Sequence, residues 1–252
     1  MCPQDGTNRT YKASRKIARI ALGDRTICQL LKSLNIQGAT GLGQQILAAF
    51  ALSGAHGAVL HESGTEPAKI HGYEHDTSSE EAVKSAWDKI VSDFGKVDIL
   101  VTNAGITGGA PAEDYTFEGF KTMINVNLNG TLFARTAGKC TTKNGVKSKM
   151  LIVSSMSESI SKAASAHLMK SIAAEWALYG ICVNALSPGY IQTEANAGEE
   201  MGKLSKKWTK YISTARIAKP EEFRGTSVWL VSEASSYVTG SEIIVDGGYY
   251  IW

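Results

Sequence analysis

From about residue 36 to the C-terminus the apolar positions alternate between two spacings. Short apolar runs read as buried strands: GAVL at 57–60, a weaker IHGYEHD at 70–76, KVDILVTNAG at 96–105, MLIVS at 150–154, ICVNALSPG at 181–189 and EIIVDGG at 242–248. Between them, apolar residues recur at helical spacing. QQILAAFALSG is one such stretch, closed by Gly54, and TSSEEAVKSAWDKIVSDFG is another, with Thr77 or Ser78 as its cap and Gly95 as its stop. Further helices are predicted over roughly 117–138, through SKAASAHLMKSIAAEWALYG, in a polar region at 195–214, and from Pro220 through PEEFRGTSVWLVS. Strands that are nearly continuous apolar runs, alternating with helices, predict a parallel sheet covered on both faces. The fold class is α/β, a single doubly wound unit over 36–252, with no internal repeat and no second domain.

Composition narrows this picture only slightly. A 43% hydrophobic and 20% charged chain of 252 residues is ordinary for a globular protein, and a net charge of +2 gives no reason to expect nucleic acid as a partner. The charge is uneven: residues 1–35 carry seven Lys or Arg against Asp5 and Asp24, so they form a basic extension of uncertain structure. A solvated extension in a cytoplasmic protein is the favoured reading, and a mitochondrial targeting segment is the alternative. Cys2, Cys28, Cys140 and Cys182 are scattered, which suits a reducing compartment and argues against a structural metal site. No apolar run approaches the length needed to span a bilayer, so no membrane partner is expected.

Candidate chemistry begins at GATGLG, where Gly38, Gly41 and Gly43 have the spacing of a turn that sets backbone N–H groups against a dinucleotide pyrophosphate. Alone this is weak, because glycines also serve tight turns with no ligand. The strand that should precede it is CQLLKSLNIQ, where Lys32, Ser33, Asn35 and Gln37 interrupt the apolar run, so the first strand is poorly encoded.

Taken in order, QGATGLG, DILVTNAG, NVNLNG, IVSSMS, SKAA, YGICVNALSPGYIQT and VTGSEIIVDGGY resemble the short-chain dehydrogenase/reductase family, most of all its fungal NADP-dependent polyol and sugar-ketone branch. The resemblance covers about 36–252 and implies a Rossmann-type sheet, a nicotinamide dinucleotide, and a homodimer or homotetramer. It places Gly38, Gly41, Leu42 and Gly43 under the pyrophosphate, with Gln37 where the family has its first glycine. Asp76 matches the acid that holds the adenine amino group, although capping the next helix is an equal reading. Asn103, Ala104 and Gly105 match the turn at the adenine ribose, and Pro188, Gly189, Ile191 and Thr193 match the loop that holds the carboxamide. His61 stands where an acid would accept the ribose hydroxyls of NAD, and Ser63 follows it, which favours NADP with NAD as the alternative. The stretch from Glu62 to His71 is too short for the family's helix between its second and third strands.

The family moves hydride between the nicotinamide and a carbonyl or secondary alcohol of a small-molecule substrate. Its proton donor is a tyrosine whose pKa is lowered by a lysine four residues on. By the resemblance Asn127, Ser155 and Lys162 match the asparagine that anchors a proton-relaying water, the substrate-binding serine and the lysine, the last doubling as a cofactor contact. Four residues before Lys162 stands Glu158, and the segment between Ser155 and Lys162 is several times shorter than in the family. A carboxylate beside a lysine stays ionised at neutral pH and donates no proton. Neither His167, Tyr179 nor Tyr190 is placed to replace the tyrosine. The leading expectation is an oxidoreductase; a catalytically inert nucleotide-binding or scaffold protein of the same fold and a truncated gene product remain open.

Overall fold

The computed structural model describes residues 27–30, 41–53, 57–59, 70–72, 76–94, 97–106, 112–133, 148–156, 160–193 and 205–251. Seven strands form one parallel sheet: β1 (Ile27–Leu30), β2 (Gly57–Val59), β3 (Ile70–Gly72), β4 (Ile99–Thr102), β5 (Lys149–Val153), β6 (Cys182–Pro188) and β7 (Glu242–Val245), in the order β3-β2-β1-β4-β5-β6-β7. Strand order therefore reverses between β1 and β4, the place where a doubly wound sheet opens a crevice at its carboxyl edge.

The α-helices that frame the sheet are α1 (Gly41–Leu52), α2 (Glu80–Phe94), α3 (Phe117–Ile124), α4 (Gly130–Phe133), α5 (Ile160–Trp176) and α6 (Arg224–Val231). Alternate strand residues point to opposite faces, and the core divides accordingly. Leu100, Met150 and Ile152 pack with Trp87 and Ile90 of α2 and Met169 and Ile172 of α5. Ile99, Val101, Leu151 and Val153 pack on the other face with Leu42, Ile46 and Phe50 of α1 and Leu230 and Val231 of α6. Both layers converge on the central strands β4, β5 and β6, whose ends carry the candidate site.

Several local expectations shift. The strand expected immediately before the glycine turn lies earlier, at Ile27–Leu30, paired between β2 and β4 and inside the stretch read as an extension. The chain from Lys32 to Gln37 is too polar for a central strand, whereas ICQL is an apolar run broken only by Gln29. Helix α2 is capped by Ser79, whose Oγ accepts from Ala82 N at 3.2 Å, rather than by Thr77 or Ser78. The predicted helix at 117–138 is broken by a π-turn at Asn125–Asn129 between α3 and α4, and 134–138 lie outside the described residues. In the polar region at 195–214, helix is described only at 205–208. The stretch where a helix between β2 and β3 was expected to be missing, 60–69, is also outside them.

Candidate active site

The carboxyl ends of β4, β5 and β6 meet the start of α5. Lys162, in the first turn of α5, donates from Nζ to Val153 O at 2.8 Å and to Ala104 O at 3.2 Å. Both acceptors are neutral carbonyls, and burial pushes the ammonium down to about 8 from its ordinary value of 10.5. Its stem crosses Gly105, where a Cβ would lie 2.9 Å from Lys162 Cε and 3.0 Å from Nζ. Glycine at 105 is what lets the lysine reach the strand ends.

Asn127 sits in the π-turn and is fully buried. Its Oδ1 accepts from Ile106 N at 2.8 Å, and its Nδ2 donates to Ile106 O and Ser161 Oγ, each at 2.9 Å. The asparagine thereby clamps the turn after β4 to α5. Its own carbonyl accepts from Ser165 Oγ at 2.9 Å and Thr131 Oγ1 at 3.1 Å. These two hydroxyls tie the backbone of the π-turn to α5 and α4. Ser161 and Ser165, both buried, were not singled out by sequence reasoning; two serines four apart on an otherwise apolar helix face were the available signal.

Ser155 follows β5 directly, and its position is set by neighbours: Ser154 Oγ donates to Lys162 O at 2.9 Å, and Met156 N donates to Pro188 O at 3.1 Å. Beyond β6, Gly189 N donates to Val245 O at 3.0 Å, and a Cβ at Gly189 would lie 2.8 Å from Asp246 Cα. Ile191 is buried and bridges to Ala218. Thr193 reaches the glycine turn, since a Cβ on Gly41, whose φ is +62°, would meet Thr193 Cγ2 at 3.1 Å.

At that turn, Gly41, Leu42 and Gly43 open α1. Leu42 points its side chain into the core with Ile46 and Phe50, so only its backbone is available to a ligand. The first turn carries no acidic residue to neutralise the positive helix end. Asp76 Oδ1 accepts from Ser78 N at 2.8 Å and Ser78 Oγ at 2.7 Å, a local turn that leads into α2 ahead of its cap at Ser79. Asn103 and Ala104 continue β4 at partial exposure. Gly38, His61, Ser63 and Glu158 lie outside the described residues. His167 and Tyr179 are exposed, and Tyr190 stacks on Trp208.

A family model described as enoyl-(acyl carrier protein) reductase matches residues 38–250, and the order of motifs falls on the strand ends just described. The chain belongs to the short-chain dehydrogenase/reductase family. Within this family it is 35% identical to a sorbose reductase of Candida albicans, over 83% of this chain and 83% of that one. An NADH-dependent L-xylulose reductase of Ambrosiozyma monospora is 36% identical over 74% of this chain and 75% of its own. The solved structure of a gluconate 5-dehydrogenase from Burkholderia cenocepacia, in complex with NADP and tartrate, superposes with a TM-score of 0.83 at 25% identity, covering 94% of this chain and 99% of that one. The short-chain dehydrogenase/reductase relatives named here are oxidoreductases, and this chain is of their class. Among the described residues no cluster could hold a metal ion, and no helix is long and apolar enough to cross a membrane.

Proposed function

We propose that this chain is an NADP-dependent oxidoreductase acting on a sugar ketone, a polyol or a comparable small carbonyl compound. The observation that carries the reading is Lys162, an enclosed cation held between Ala104 O and Val153 O at the meeting point of three strand ends. The residues present suit a nicotinamide dinucleotide: Gly105 and Gly189 leave no room for a side chain, and α1 opens at Gly41, Leu42 and Gly43 with no acid in its first turn. Gly38, Gly41, Leu42 and Gly43 would hold the pyrophosphate through their backbone. Asp76, Asn103, Ala104 and Gly105 would line the adenosine end, with His61 and Ser63 facing the 2′-phosphate; Pro188, Gly189, Ile191 and Thr193 would hold the carboxamide. NAD is the alternative dinucleotide: the L-xylulose reductase is NADH-dependent, while the gluconate 5-dehydrogenase is in complex with NADP.

When bound, the nicotinamide supplies or takes the hydride. The chain's own part is orientation and charge. Lys162 holds a cation near neutral pH, Ser155 offers a hydroxyl to the substrate oxygen, and Asn127 keeps the turn between them in place. We further infer a cytoplasmic homodimer or homotetramer with no nucleic-acid partner.

A second reading is favoured by one observation: Glu158 stands where the family's proton donor would. On that reading the chain binds the dinucleotide and does not turn over. NADPH oxidation with a panel of ketoses, together with NADPH titration by calorimetry, decides between them. Slow turnover supports the first reading. Binding without turnover supports the second, and absence of both overturns the two together.

A further inference from the structure

The stretch after β7 packs on the carboxamide-side loop through aromatic rings. The Tyr190 ring stacks on Trp208 with centroids 4.3 Å apart and planes at 10°, and meets Tyr249 edge-on at 5.4 Å and 83°. These are the geometries that aromatic pairs favour. Tyr190 lies between Gly189 and Ile191, so its ring is the lateral handle of that peptide. The loop is fixed lengthwise by Gly189 N donating to Val245 O at 3.0 Å and by Gln192 N donating to Ala218 O at 2.9 Å. The rings supply the sideways restraint.

The tail is itself held in a defined path. Asp246 Oδ1 accepts from Gly248 N at 2.8 Å, and its Oδ2 accepts from Tyr250 N at 2.7 Å. Ser213 Oγ donates to Gly248 O at 2.8 Å, and Thr214 N donates to Gly247 O at 3.0 Å. Gly247 and Gly248 have φ of +66° and +82°, and a Cβ on Gly248 would lie 2.8 Å from Ser213 Cβ. The glycine pair brings Tyr249 to the loop by a route closed to other residues.

We propose that Tyr249 and Trp208 are positioning residues that hold Tyr190, and through it the loop 188–193, in the posture that grips the nicotinamide end of the dinucleotide. The proposal rests on the dinucleotide-binding reading above. Two probes separate its failure from that reading's failure: NADPH, and 2′-phospho-ADP-ribose, which has every part of NADP except the nicotinamide.

Calorimetry on the full chain should show Tyr249→Leu weakening NADPH about fivefold, the size of one aromatic pair, while 2′-phospho-ADP-ribose binds as before. Tyr249→Phe keeps the ring and should bind NADPH like the unaltered chain. Trp208→Leu removes the opposite ring contact and should repeat the pattern, which keeps the test decisive should the first variant not fold. Equal loss of both probes, or loss of neither, overturns the positioning role. Failure of the unaltered chain to bind either probe overturns the dinucleotide reading, and this inference with it.

Discussion

At the proposed nicotinamide end of the site, Asn127 bonds residues 21 and 34 positions away and Lys162 bonds Ala104, 58 positions away. At the proposed adenine end, the Asp76 carboxylate accepts from Ser78, two positions away. The first set ties the ends of β4 and β5 to one helix; the second fixes the turn at a helix entry. The strands behave in parallel: β5 and β6 have five and seven residues, β2 and β3 have three each. Long-range bonds between buried polar groups specify one arrangement, because an unmet partner has no water to fall back on. Local caps stabilise an element without saying where a ligand goes. The nicotinamide end is therefore the better-determined half.

The largest effect expected is at Lys162. Lys162→Met should lower turnover with NADPH and a responsive ketose by about a hundredfold or more, the range for loss of a positioned acid–base group. An unchanged rate in that assay would place the chemistry elsewhere. Next comes Asn127→Ala, which strips Ile106 N and O of their partner and should cost about 2–3 kcal/mol in urea unfolding. A cost near zero would show the clamp to be dispensable.

A smaller signature is a pH slope. Burial holds the Lys162 pKa at about 8 against an ordinary 10.5, so the folded state releases its proton first. Below pH 8 the folded protein carries the full penalty of an enclosed cation. As pH rises from about 8 towards 10.5 the unfolded chain binds more protons, so stability increases, by no more than about 1.4 kcal/mol per pH unit. Urea midpoints across that window should rise for the unaltered chain and rise less for Lys162→Met.

The same contrast decides what was legible in the sequence. Ser155, Lys162 and the turn 103–105 sit at ends of apolar runs, and a run's end is visible in the chain; the structure brings these stretches together. β1 is hard to read because the glycine spacing points to a strand directly before it and Lys32 to Gln37 interrupt that run, whereas the sheet takes up Ile27–Leu30. Leu42 has its place beside the ligand from its motif, and the core position of its side chain leaves its backbone for that role; motif spacing does not say which way a helix face turns. Ser161, Ser165 and Asp246 escaped notice because their partners come from distant or irregular segments, and neither period 2 nor period 3.6 records such a pair.

The smallest effect tests the weaker half of the comparison. Asp76→Ala removes the acceptor of Ser78 N and Ser78 Oγ and should cost about 1 kcal/mol, as for loss of the side chain that caps this local turn. That result alone cannot separate a cap from a subsite, because both readings remove the same oxygen. Asp76→Asn does separate them: its amide oxygen still accepts from Ser78, so the cap survives, while the carboxylate's second acceptor becomes a donor. An adenine amino group is a donor and needs an acceptor facing it. Asp76→Asn should therefore unfold at the urea concentration of the unaltered chain yet bind 2′-phospho-ADP-ribose several-fold more weakly. Equal affinity would make Asp76 a cap only, and the adenine end would then rest on the backbone of the turn after β4.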